Sequence, residues 1–227
     1  MQAHADALDA IASNLANLST PGYKREIPAF SSYLGPVPAS AAPQSFEPVQ
    51  PNFRIDLQDG PVRQTGNPFD LALRGPGFFA VQFDDTTAYT RNGAFTLDRE
   101  GYLVTATGHR LLGEQGPIQI SGTNWQVSDR GEVTVEGETI GRLRLVNLPA
   151  ASLQRIGESL FLSSADPQTL DWSTTELKQA YLEQTNASAV WEMVSLIGVL
   201  RSFEASQRLI QAQDETLGQA VGSVGQV

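Results

Sequence analysis

Gly75-Pro76-Gly77-Phe78-Phe79-Ala80 has the glycine spacing of a loop that cradles a dinucleotide pyrophosphate. That chemistry needs a helix to open at the loop, so that its free N–H groups receive the phosphate; here an apolar, strand-like Phe78 to Phe83 follows. The run is read as a turn between strands. His4 and His109 are the only histidines and fall in different predicted units, so neither a histidine metal cluster nor a His-dependent triad is in view. The absence of cysteine removes disulfides, thiol nucleophiles and zinc–thiolate sites together. No G-x-S-x-G elbow or phosphate-binding P-loop occurs. The acidic pairs Asp84-Asp85 and Asp214-Glu215 fall in a loop and on a helix surface, where carboxylates are solvated. Asn17-Leu18-Ser19 and Asn186-Ala187-Ser188 match the glycosylation tripeptide and are read as turns and caps. No catalytic, cofactor-binding or metal-binding residue is expected, and no cofactor.

Charge narrows the partners. The 227 residues carry 15 Lys and Arg against 25 Asp and Glu, a formal charge of −10, and only Lys24 and Lys178 are lysines. Nucleic acid is excluded, because displacing counterions from phosphates takes clustered cations. No uncharged apolar run approaches the roughly 18 residues of a membrane span, so direct membrane insertion is not expected. The first residues have neither the basic nor the apolar segment of a cleaved leader.

The strongest periodicity lies in the elements at the two ends. From Asn186 to Val221, Ala189, Leu196, Phe203, Ile210 and Leu217 recur every seven residues, with Val190, Met193, Ile197 and Leu200 widening the stripe. Asn186 is the expected cap and Gly222 the expected stop, giving one rod of roughly 50 Å. Leu8, Ile11, Leu15 and Leu18 mark the same periodicity in a first helix over residues 3–18, ended by Pro21-Gly22. A helix as long as the second outruns a small core, so the two heptad seams are expected to pair as a coiled coil.

Between them the period changes to two. Residues 69–162 read as a β domain, with Asn92-Gly93 as a tight hairpin between Thr87–Arg91 and Ala94–Leu97. Leu97 to Thr105 and Val127 to Val135 share a strand, acidic turn, glycine, strand grammar. Ile140 to Val146 is a further strand with one wet face. Residues 28–68, holding eight of the thirteen prolines, are expected to be an extended linker, with a short strand near Arg54 to Leu57. Residues 163–185 return the chain to a terminal segment, 186–227. The fold class is mainly β with long terminal α-helices, the β domain being inserted between an N-terminal segment of residues 1–27 and that C-terminal one.

Four blocks resemble the flagellar axial proteins, the rod and hook family. Ser13 to Arg25, containing Asn14, Asn17, Thr20, Gly22 and Tyr23, resembles their N-terminal signature. Leu73 to Val81, with Gly75, Gly77, Phe78 and Phe79, is similar to their L-x-G-x-G-F-F-x-V. Tyr89 to Phe95, with Arg91 and Gly93, resembles Y-T-R-x-G-x-F, and Arg201 falls on the terminal-helix pattern. Gly113 to Ile118 followed by Ile140 to Val146 is more similar to the proximal-rod branch than to the distal-rod branch.

The resemblance implies a structural subunit of the flagellar basal-body rod, in the part that spans the periplasm. Its terminal helices would pair in an inner tube, with the β domain outside, and the assembly would transmit torque without turnover. Implied partners are other rod proteins, copies of this chain in a helical array, and the flagellar type III export apparatus, which would carry it out without a cleaved signal peptide. A distal-rod or hook subunit and a transient assembly scaffold or cap are the alternatives. An enzyme is the remote one. The resemblance also aligns Met1 with a methionine inside the family's first helix, which would shorten the seam by about a dozen residues and leave it marginal in isolation.

Overall fold

The structure is a computed structural model describing residues 2–28, 53–84, 86–122, 124–157, 159–170 and 172–224. Most of the expected proline-rich linker therefore lies outside the described residues. The chain divides into two compact units. One holds Met1–Leu15, Glu26–Phe53 and Ala189–Val227; the other holds Ala16–Arg25 and Arg54–Ser188. The protein is mainly β, with one N-terminal and one C-terminal helix.

The helical unit carries α1, Gln2–Ala16, and α2, Ala189–Val224. On α1 the buried residues are Ala7, Ala10, Ile11 and Asn14, one stripe at the three- and four-residue steps of a helix face. Small alanines there let another backbone come close. His4 joins the helices: its Nε2 lies 2.9 Å from Ser202 Oγ, and its ring centroid lies 6.4 Å from that of Phe203. The sparing of Pro lets α2 run 36 residues, and it passes through both Gly218 and Gly222. The expected stop at Gly222 is thus corrected: a helical glycine costs only about 1 kcal/mol. The expected cap is also corrected, since α2 begins at Ala189 and the Asn186 side chain is spent elsewhere.

The β unit is built on a six-stranded antiparallel sheet in the order Leu153–Arg155, Leu160–Ser163, Thr86–Thr90, Phe78–Phe83, Leu145–Asn147, Gln168–Thr169. Both faces of its central strand are covered. Phe79 and Val81 enter the main core with Phe95, Leu103 and Trp125, while Phe78 and Ala80 enter a second cluster with Tyr89, Leu148 and Phe161. This is why the FFAV run is continuously apolar where a strand wet on one side would alternate.

A three-stranded sheet of Trp125–Val127, Glu132–Val135 and Glu138–Arg142 and several two-stranded ribbons complete the unit. The acidic turns behave as expected. Asp98 Oδ1 accepts from the N–H groups of Glu100 and Tyr102, and Trp125–Val127 pairs with Glu132–Val135 across the second turn.

Asn92-Gly93 is a correction. Thr86–Thr90 pairs with Phe78–Phe83 and Leu160–Ser163, and Thr96–Leu97 pairs with Leu103–Val104, so no hairpin joins the two segments at Gly93. The glycine serves a backbone crossing: Leu71 N donates to Gly93 O, and a Cβ on Gly93 would stand 1.6 Å from Leu71 O. The expected single strand Ile140 to Val146 is likewise split between two sheets.

The expected linkers also contain strands. Val62–Gln64 pairs with Tyr181–Glu183, and Leu71–Arg74 pairs with Glu176–Gln179. The return segment is therefore zipped onto the β unit by backbone pairing, bending at Ala180, which takes a left-handed φ of 67°.

Candidate functional site

The motif blocks meet in the interior of the β unit, around three charged side chains. Glu183, Lys24 and Arg91 have side chains only 1–2% exposed. Glu183 Oε1 accepts from Lys24 Nζ and from Gly60 N, each at 2.8 Å, and Oε2 accepts from Arg91 Nε at 2.5 Å. Lys24 also donates to Gln58 O at 2.6 Å. Arg91 Nη2 reaches Gly75 O at 2.6 Å, Leu73 O at 3.0 Å and Asp59 Oδ1 at 3.1 Å, and Nη1 donates to Gly77 O. The guanidinium thus gathers three carbonyls of the Leu73 to Gly77 turn. The L-x-G-x-G and Y-T-R blocks occur together because one supplies the donors for the other.

The same junction fixes where the chain enters and leaves the unit. Gly22 N donates to Glu183 O at 2.8 Å, and Arg25 N donates to Asn186 Oδ1 at 2.8 Å. Asn186 Nδ2 donates in turn to Asp56 O and Gln58 O. Gly22, at φ +66°, lies so close to Arg91 that a Cβ would stand 2.3 Å from the Arg91 carbonyl oxygen. Arg155 closes the cluster from another side: it donates to Lys24 O at 2.6 Å and lies 4.4 Å over the Tyr23 ring.

Burial pulls the Lys24 ammonium below its ordinary 10.5; the Glu183 carboxylate opposes this and the Arg91 charge adds to it. A cavity of about 290 Å³ beside the cluster is lined by Lys24, Gln58, Asp59, Gly75 and Arg91, among others. The charged groups on its wall already hold one another, so the geometry is that of a clamp. Among the described residues no group of three or more His, Cys, Asp or Glu stands together as a metal site.

The motif residues divide by location. Gly22, Tyr23, Gly77, Phe78, Phe79, Arg91 and Gly93 are buried in the β unit, and Gly75 is half-buried there. Asn14 is buried on α1, where its side chain exchanges hydrogen bonds with the backbone of Glu26. Thr20 Oγ1 donates to Asn17 Oδ1, closing the turn after α1. Arg201 is exposed on α2.

Of the seam residues, Ile11 is buried, while Leu8, Leu15, Leu18, Ala189, Leu196 and Phe203 are half-buried. Met193, Leu200 and Ile210 are exposed, and the Leu217 side chain lies outside the described residues. The covered side of α2 holds Ala189, Leu196 and Phe203 of the seven-residue repeat together with Glu192 and Val199, while Val190, Met193, Ile197 and Leu200 are exposed.

Glu183 and Asp59, which the motifs did not single out, complete the clamp. Both sit in stretches whose charges look solvated; the Asp59 side chain is 41% exposed, whereas Glu183 is buried, and a buried carboxylate is rare without a partner. The one signal was Lys24: a lysine set between a buried tyrosine and a turn needs a counter-charge.

A mainly β unit built between two terminal helices, with motif residues spent on a clamp, defines a structural protein. Residues 72–135 match the flagellar hook protein FlgE/F/G D1 domain, residues 178–222 the flagellar basal body rod FlgEFG protein C-terminal region, and residues 1–24 the flagella basal body rod protein family. The chain is 32% identical to the flagellar basal-body rod protein FlgF of Escherichia coli, over 92% of this chain and 88% of that one. It is 31% identical to FlgG of Buchnera aphidicola subsp. Schizaphis graminum, over 92% and 91%, and 29% identical to FlgF of Mesorhizobium japonicum, over 96% and 91%. The chain belongs to the flagellar basal-body rod protein family, and is a structural rod subunit of the flagellum whose partners are other rod components.

Proposed function

We propose that this chain polymerises through its terminal helices into the rod's inner wall, as a proximal-rod subunit that passes torque from motor to hook. The observation that carries the reading is the state of α2. Val190, Met193, Val194, Ile197 and Leu200 are 42–71% exposed along one face of the helix, more apolar surface than an isolated chain leaves in water without a use. Each such side chain gains about 1.5–3 kcal/mol when fully buried, so a neighbour's helices covering this face supply the drive for assembly. The covered side, facing α1, is the beginning of the coiled-coil pair.

The clamp supports the same reading: by holding residues 22–25 beside 183–186 it sets the two exits of the β unit together. Torque would be carried by packing alone, with no turnover and no cofactor. Export would run through the flagellar type III apparatus.

Quantitative mass spectrometry of purified hook–basal bodies tests the assignment. A few copies of this chain per structure, against many of hook protein, are expected for a proximal position. Numerous copies would move it to the distal rod, and absence would remove the permanent structural role.

A further inference from the structure

We infer that the clamp is a mechanical lock, which carries tension directly from residues 22–25 to residues 183–186 and leaves the fold enclosed between them unloaded. The lock serves the torque-bearing role proposed above, but it is a property of the single chain and is measured there.

Three hydrogen bonds bridge the two segments, each at 2.8 Å: Gly22 N donates to Glu183 O, Lys24 Nζ to Glu183 Oε1, and Arg25 N to Asn186 Oδ1. Lys24 and Glu183 stand 159 residues apart in the chain. A pull between points ahead of Gly22 and beyond Asn186 therefore meets these bonds before it meets the chain they enclose. Both ends of the bridge are anchored. Arg25 Nε donates to Asp56 Oδ2 at 2.8 Å and Asp56 N to Arg25 O at 2.9 Å, while Glu183 is held by Arg91 and Gly60. Gln184 N donates to Pro61 O at 2.8 Å.

The strand pairing gives the lock its purpose. In the return segment Glu183 faces Val62, Gln179 faces Leu71 and Glu176 faces Arg74, all antiparallel. Glu183 thus leaves the ribbon at the same end where the chain arrives through residues 54–61. Ladder bonds of an antiparallel pair lie perpendicular to the strands, so drawing this end open would load one pair at a time, like a zip. The clamp sits ahead of the first pair, Glu183 with Val62, and its three bridging bonds share the load. With the side chains of Lys24, Arg91 and Glu183 only 1–2% exposed, water is kept from replacing the ion pairs as they are stretched.

The chain has no cysteine, so Ser19→Cys and Ser188→Cys, at exposed positions of the β unit, give unique handles for single-molecule pulling on the full chain. With the clamp intact, one rupture is expected to free the enclosed 159 residues together, about 550 Å at about 3.3–3.6 Å per residue. Glu183→Gln should lower the rupture force at least twofold and divide the release into smaller steps. Lys24→Met should lower it by less. Handles at the exposed Gln115 and Asp166 load the fold inside the bridge, and there both variants should lose a smaller fraction of the force. The parental force between residues 19 and 188 in both variants would overturn the lock. So would an equal fractional fall in both pulling directions, which would make the clamp a contributor to stability alone. If Glu183→Gln does not fold, Lys24→Met decides by the same two comparisons. Neither result bears on polymerisation, which is read separately by incorporation into basal bodies.

Discussion

Glu183 holds two buried cations at once, and its removal differs in kind from the removal of either cation. Glu183→Ala leaves the buried Lys24 without a paired carboxylate and Arg91 with only the exposed Asp59, and is expected to cost about 3–5 kcal/mol, the range for breaking a buried pair. Lys24→Met should cost less, because Glu183 keeps Arg91 and the Gly60 N–H. Urea unfolding of the full chain reads both; equal losses would show that the clamp is not centred on the carboxylate. Lys24 also gives the protein a pH signature. Its folded pKa lies below the unfolded 10.5, so between those values the unfolded chain binds more protons and stability rises with pH. Below that window the cost of burying the charge is fully present. Stability measured relative to Lys24→Met should therefore climb as pH approaches 10.5, and a fall would reverse the assignment.

At the scale of elements, the strain at Ala180 is where the return segment switches from one pairing partner to another. Ala180→Gly should stabilise by up to about 1 kcal/mol, the left-handed penalty of an L residue less the entropy of glycine. A destabilised variant, by the same urea titration, would mean that the methyl group packs usefully. The helices α1 and α2 were legible in the sequence because three- and four-residue spacing marks a helix wherever it is long. How the α2 stripe divides between a covered side and an exposed one was not, since a stripe rich in apolar residues can serve either an internal partner or a later one.

Asn92-Gly93 misled for a related reason. Glycine marks both tight turns and backbone crossings, and only the approach of Leu71 distinguishes them. Of the clamp, Gly22, Gly75, Gly77 and Arg91 stood out through their motifs. Glu183 and the exposed Asp59 did not, because a carboxylate held in an ion pair has the same local sequence as one in water.

For the whole molecule, the two units carry different jobs. The β unit closes its own core and pairs its buried charges Lys24, Arg91 and Glu183. The helical unit leaves apolar side chains in water. In dilute solution, amide exchange should accordingly be slow over Phe78–Phe83 and Leu145–Asn147 and fast along the second half of α2, with protection of α2 appearing on assembly.

The most direct test of the central claim is the incorporation of Ile197→Asp. Ile197 is 53% exposed, so the substitution should leave the free chain's unfolding within about 0.5 kcal/mol of the parent. A charge on a face that must be covered should nevertheless exclude the variant from purified basal bodies, as read by mass spectrometry against hook protein. Incorporation at the parental level would contradict the claim that this face drives assembly.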